Sequence, residues 1–222
     1  MDDECHNPQN TSFVTLANSS PASVTRVAVI YCADWPAVAA SGSSGVSHAV
    51  IHAQRVIACT PQAAAAGVCI GMRRREAQGA CPQVAISVHQ PERDRRSFEP
   101  VVSAVVEVVP LVEVSEPGVI VFATRGPSRY MGGDDALAAK LHAVVVDALV
   151  SAGVTTDARF GVGIADGRLM AAIAARSSAH CGQPVVIPVN HSEHTLAELP
   201  VHVLDDVGGI QREVVSLLER LG

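Results

Sequence analysis

Between Pro91 and Ala123 the chain changes its hydrophobic period, and this change narrows the possible folds more than any other feature. Phe98, Val101, Val102, Val105, Val106 and Val109 recur at spacings of three and four. That pattern predicts a long amphipathic helix from Pro91 to Val109, closed by Pro110. Two short β-prone runs follow, Val112–Ser115 and Val119–Ala123, around the turn signal Glu116-Pro117-Gly118. A helix feeding a hairpin needs a further strand beside the hairpin and a second helix over it. The apolar run Val27–Ile30 supplies one strand upstream. Downstream come a helix over Asp134–Ala152 and a strand over Arg159–Ile164. The order predicts an α+β fold, a split β-α-β-β-α-β arrangement. This is a ferredoxin-like, mostly antiparallel sheet with two helices on one face.

A smaller unit is inserted between the first strand and the long helix. It holds two β-prone pieces, His48–His52 and Arg55–Cys59, and a helix that Thr60 caps with Pro61 at its first position. A second short helix over Met72–Ala80 and a strand over Val84–Val88 complete it. Residues 1–25 are polar and without an apolar period, and read as a disordered leader. Arg125–Gly133, RGPSRYMGG, reads as a loop. Asp166 is placed to cap a helix over Arg168–Arg176. Val185–Ile187 reads as a short strand before a polar turn at 189–195. A helix at Gln211–Leu221, with Val214, Leu217, Leu218 and Leu221 on its apolar face, ends the chain.

Apolar residues make up 48% of the 222, yet aromatics are only 3%, so the core must be built from small aliphatics in close contact. A net charge of -6 argues against a histone-like electrostatic binder and leaves room for a local basic patch. Six cysteines occur without a CxxC pair, which predicts reduced cytoplasmic thiols rather than a zinc site or a disulfide framework. No apolar run reaches the length of a membrane span.

The candidate site is the end of the first strand, Val27 to Pro36. On an extended chain Cys32 and Asp34 share a face at the mouth of the sheet. A hard divalent cation there would meet one carboxylate and one soft sulfur. Arg73, Arg74 and Arg75 form either a solvated helix face or a patch for nucleic-acid phosphates. Arg93, Asp94, Arg95 and Arg96 read as solvated. Arg168 opens a helix whose amides attract anions, and either meets phosphate or makes a surface salt bridge. His191 and His194 lie three apart on the polar turn and are not counted as ligands.

The stretches GVCIGMRRREAQGACPQV (67–84) and FGVGIADGRLMAAIAAR (160–176), with the order of elements, resemble the Y-family translesion DNA polymerases of the UmuC/DinB kind. The triple Arg after Gly71-Met72 and the phrase RGPSRYMGG are similar to the actinobacterial ImuB group, whose active site is degraded. The resemblance implies a palm over 26–45 and 89–180 and fingers over 46–88. It implies the start of a thumb over 181–222. The little finger and the C-terminal clamp-binding region are expected to be absent.

In the family two magnesium ions bridge the attacking oxygen and the triphosphate. The resemblance puts their three carboxylate ligands at Cys32, Gly118 and Val119. It puts the Tyr and Arg that grip the triphosphate at Pro61 and Ala64, and the residue that screens ribonucleotides at Ala37. All of these are lost. A basic residue survives at Arg168, and Asp34 matches an acid outside the ligand set. The resemblance therefore implies a protein without metal or other cofactor, a non-catalytic adaptor in DNA-damage-induced (SOS) mutagenesis. Its implied partners are an ImuA-type RecA-like accessory protein, an error-prone replicative-type polymerase, the sliding clamp and damaged DNA. It would be cytoplasmic and drawn to the nucleoid. Two other readings stand. One is an active polymerase with Glu116, Glu113 or Asp34 as makeshift ligands. The other is an unrelated ferredoxin-like binding protein.

Overall fold

The computed structural model describes residues 25–42, 45–154 and 159–200, with 203, 217 and 220. The leader and most of the 211–221 helix lie outside the described residues. The elements run β1 (Arg26–Cys32), α1 (Trp35–Ser41), β2 (His48–His52), β3 (Arg55–Cys59), α2 (Pro61–Ala65), α3 (Arg74–Ala80), β4 (Ala85–Val88) and α4 (Pro91–Val108). They continue with β5 (Glu113–Glu116), β6 (Val119–Ala123), α5 (Arg125–Met131), α6 (Asp134–Ser151), β7 (Phe160–Asp166), α7 (Arg168–Cys181), β8 (Val185–Val186) and α8 (Ser192–Glu198).

Two sheets result. The larger has strand order β5-β6-β1-β7-β8. Its first four strands are antiparallel, and β8 adds to β7 in parallel. This is the expected split arrangement with one edge strand more. The smaller sheet, β3-β2-β4, is the inserted unit. Alternate residues of β1 face opposite ways. Ala28, Ile30 and Cys32 join Phe98, Val101 and Val105 of α4 and Leu137, Leu141 and Val145 of α6 in the main core. Val29 turns to the other face and packs under α7. That third helix was not foreseen as a cover. It lies close because β7 carries glycines there: a Cβ on Gly163 would stand 2.2 Å from the Ala175 amide nitrogen.

Four local readings need correction. Arg125–Met131 is a helix, not a loop: Pro127 sits in its first turn, where no amide is needed, and Gly132 ends it in the left-handed region. Gly167, not Asp166, stands at the cap position of α7, and Asp166 instead accepts from Arg26, Asn190 and Ser192. The stretch at 189–195 is not a turn throughout, since α8 begins at Ser192. Asp94 is not solvated. It is fully buried, with Arg93 donating to Oδ1 at 2.7 and 2.9 Å and His89 Nε2 standing 3.2 Å from Oδ2. Among the described residues no helix is long and apolar enough to cross a membrane.

Candidate functional site

Where the two sheets meet, a cleft of about 450 Å³ opens. Its lining includes Cys32, Asp34 and Trp35 from the β1–α1 turn, Glu116, Pro117 and Val119 from the β5–β6 hairpin, and Arg176 from α7. The register explains the convergence. Tyr31 pairs with Val119, so the last residue of β1 lies against the hairpin turn. The Cys32 amide donates to the Gly118 carbonyl at 2.7 Å.

The chain leaves the strand immediately after Cys32. Asp34 has φ +52°, a left-handed conformation, so the alternation that would align it with Cys32 fails. The two side chains have different environments. Cys32 is buried in the main core at 4% exposure, and burial pushes its thiol up to about 12. Asp34 makes an ion pair with Arg159 Nη2 at 3.1 Å. Burial holds its carboxyl above the usual aspartate range, although Arg159 and the Cys59 amide pull it down.

Gly118 has φ +102°. A Cβ there would stand 2.8 Å from Trp35 Cβ and 3.0 Å from the Cys32 carbonyl oxygen. The indole itself is fixed: its Nε1 donates to the Asp94 carbonyl at 2.9 Å, and its ring meets Phe98 edge-on at 4.9 Å between centroids.

The other candidates are dispersed. Glu113 does not line the cleft. Arg168 grips it with both terminal nitrogens, at 2.7 and 3.0 Å, and also donates to Ser115. The Arg168 guanidinium holds the Glu113 carboxyl below its ordinary range. Of the two roles open to Arg168, the salt bridge is the one present. Glu116 does line the cleft and is exposed. Pro61 and Ala64 lie on α2, away from the cleft lining, with Thr60 capping that helix through the Ala63 amide. Ala37 is buried against Val50 and Ala58 rather than facing the cleft. Arg73, Arg74 and Arg75 are exposed at the start of α3, and Arg73 pairs with Arg55 across an isolated bridge.

Sequence reasoning missed Arg176. Its guanidinium carbon lies 4.4 Å from the centroid of Tyr31, inside the cleft. Its place eight residues after Arg168 on a predicted helix was the available signal, but the predicted helix ended there.

A pair of magnesium ions would need several hard oxygens converging on one point. At Cys32, Gly118 and Val119 the cleft offers a protonated thiol, a backbone carbonyl and an apolar side chain. Of its carboxylates, Asp34 is paired with Arg159 and Asp94 with Arg93 and His89, while Glu116 is exposed at the rim. Among the described residues no three His, Cys, Asp or Glu side chains are grouped to hold a metal ion. The residues present do not fit such a pair.

The model of the impB/mucB/samB family matches residues 19–176. The chain belongs to the impB/mucB/samB family. No curated protein gives a significant match. Among solved structures, a ternary complex of Dbh is similar at 18% identity and a TM-score of 0.67, covering 89% of this chain. DinB from Sulfolobus solfataricus is similar at 16% identity and a TM-score of 0.65, also over 89% of the chain. A Y-family DNA polymerase chimera of Dbh is similar at 16% identity, with a TM-score of 0.64. The chain spans 57% of the length of the first two and 58% of the chimera. At these identities the likeness is one of fold. With the family match it bears out the Y-family reading of 67–84 and 160–176 for this impB/mucB/samB member.

Proposed function

We propose that this chain is a non-catalytic member of its family, of the ImuB kind, acting as an adaptor in DNA-damage-induced translesion synthesis. The observation that carries the proposal is the turn at Gly118. A carboxylate at this position has no room beside Trp35 and would need a left-handed backbone. Its neighbours on the same path, Cys32 and Val119, support the reading. So do Pro61 and Ala64, which offer a triphosphate no charge. The larger sheet with α4, α6 and α7 acts as the palm, over 26–45 and 89–180. Residues 46–88 act as fingers and 181–222 as the start of the thumb, with β8 still joined to the palm sheet. What remains is a frame on which a RecA-like accessory protein, an error-prone replicative-type polymerase and the sliding clamp assemble. DNA would touch it through Arg73, Arg74 and Arg75.

The competing reading, a weak polymerase, draws support from Glu116 at the rim of the cleft. Primer extension with magnesium and with manganese separates the two. The expected result is no template-dependent extension with either ion. Extension abolished by Glu116→Gln or Asp34→Ala would overturn the adaptor reading.

A further inference from the structure

A second opening, of about 390 Å³, lies at the ends of α6 and α7 and shares no lining residue with the cleft. Its size suits a small molecule. On α6 the lining residues His142, Val146, Leu149 and Val150 recur at helical spacing and so form one stripe. On α7 they are Ala179, His180 and Cys181, the last residues of the helix. Phe160, the first residue of β7, brings its ring to 4.8 Å from that of His142 between centroids.

The polar side chains of this opening are one-sided. Arg159, His142 and His180 bring nitrogen donors, and among the described residues the lining holds no carboxylate. Neither imidazole ring has a hydrogen-bond partner among the described residues. The Cys181 thiol is already engaged, donating to the carbonyls of Ser178 and Gln183. Arg159 connects the opening to the cleft. Its carbonyl accepts from the Ala33 amide at 2.8 Å, which ties its backbone to the β1–α1 turn. Its side chain is 43% exposed and meets Asp34, in the cleft lining, at 3.1 Å.

Charge and shape together select the ligand. The ends of α6 and α7 carry partial negative charge, so a bare inorganic anion is poorly held beside them. An anion with an aromatic body gains contact with Val146, Leu149 and Phe160 while its head reaches Arg159.

We infer that this opening binds a small aromatic carboxylate or sulfonate, held by Arg159 and the apolar stripe of α6, and that the ligand shares the guanidinium with Asp34 of the cleft. The inference does not depend on the adaptor reading. A guanidinium has donors for both anions, but two anions on one cation repel. Occupation therefore opposes the Asp34 pair, and loss of the Asp34 charge favours occupation.

The 222-residue chain is titrated with anilinonaphthalene sulfonate, an aromatic anion whose fluorescence rises in apolar surroundings. The bound probe is then displaced with naphthoate or with inorganic sulfate at constant ionic strength. One molecule is expected to bind per chain. Arg159→Gln should weaken it about tenfold. Val150→Glu, which sets a like charge at an exposed point of the wall, should weaken it by about as much. Asp34→Asn should tighten it about threefold. Arg176→Gln, in the cleft, should leave it unchanged, and naphthoate should displace the probe where sulfate does not. Where Arg159→Gln lowers the melting temperature, Val150→Glu and Asp34→Asn carry the test. No binding by the wild type, or binding indifferent to Val150→Glu, would overturn the site. Weakening by Arg176→Gln would place the probe in the cleft and overturn it equally. Displacement by sulfate as readily as by naphthoate would overturn the ligand class. No tightening in Asp34→Asn would overturn the shared guanidinium.

Discussion

At the scale of single residues the proposed adaptor reading is tested at Gly118. Gly118→Asp should show no template-dependent primer extension. It should cost about 2 kcal/mol or more, because a left-handed backbone and a Cβ contact inside van der Waals distance are imposed together. Urea unfolding of the variant measures this. Asp34 gives a second test. Burial raises its carboxyl, so the folded state holds that proton to higher pH than the unfolded chain does. Stability from this group is therefore present at low pH and lost as pH rises from about 4 through the folded value. The difference in unfolding free energy between wild type and Asp34→Asn should fall across that rise. A difference that grows with pH would mean that the Arg159 pair outweighs burial. Of the residues singled out in the sequence, Cys32, Asp34, Glu116 and Val119 line the cleft, Pro61, Ala64, Ala37 and Glu113 do not, and Arg176 was missed. The sequence did not tell the orientation of Cys32 and Asp34, because the i, i+2 rule holds only while the strand continues, and it stops at Cys32.

At the scale of elements, β7 and α7 form the tightest contact in the larger unit. Gly161 and Gly163 on β7 let the backbone of α7 approach, with Ala171, Ala174 and Ala175 facing them. Gly163→Ala should be severely destabilising, by about 3 kcal/mol or more, since the added carbon meets backbone atoms on both sides. A thermal melt checks it; an unchanged midpoint would mean that α7 can slide outward at little cost. The Gly-x-Gly strand and the alanine-rich helix were visible in the sequence as elements. Their contact was not, since small residues carry no hydrophobic period strong enough to announce a packed face. The helix α5 was missed for a related reason. Gly126, Pro127, Gly132 and Gly133 read as loop punctuation, although Pro127 falls where a first turn accepts it and Gly132 where a helix ends.

For the whole molecule, the order of elements was legible because each long segment keeps one period from end to end. α4 was placed to within a residue, and the hairpin turned where Glu116-Pro117-Gly118 said it would. The joint between the two sheets was not legible. It depends on Asp94, which lies among arginines in a stretch that looks solvated yet is buried under Trp35, Arg93 and His89. Arg93 also reaches the Pro36 carbonyl at 3.3 Å, so one acid stands between the entry to the smaller unit and the exit from it. Asp94→Ala should cost about 2–3 kcal/mol, at or just below the low end of what breaking a buried pair costs, because Arg93 keeps some contact with water. Denaturant titration tests it, and loss of the joint should appear as two separated transitions in place of one.

The contact at Gly118 also bears on descent. The atoms that crowd it are the Cβ of residue 35 and a main-chain oxygen. Every residue but glycine brings that same carbon, so exchanging the tryptophan for a smaller side chain does not reopen the space. A lineage that has passed through this arrangement cannot return by back-mutation at one codon. It would have to move the strand and the turn together while the fold stays intact. On the proposed adaptor reading this arrangement works as a ratchet, and selection is left to act on the outer surfaces of the molecule.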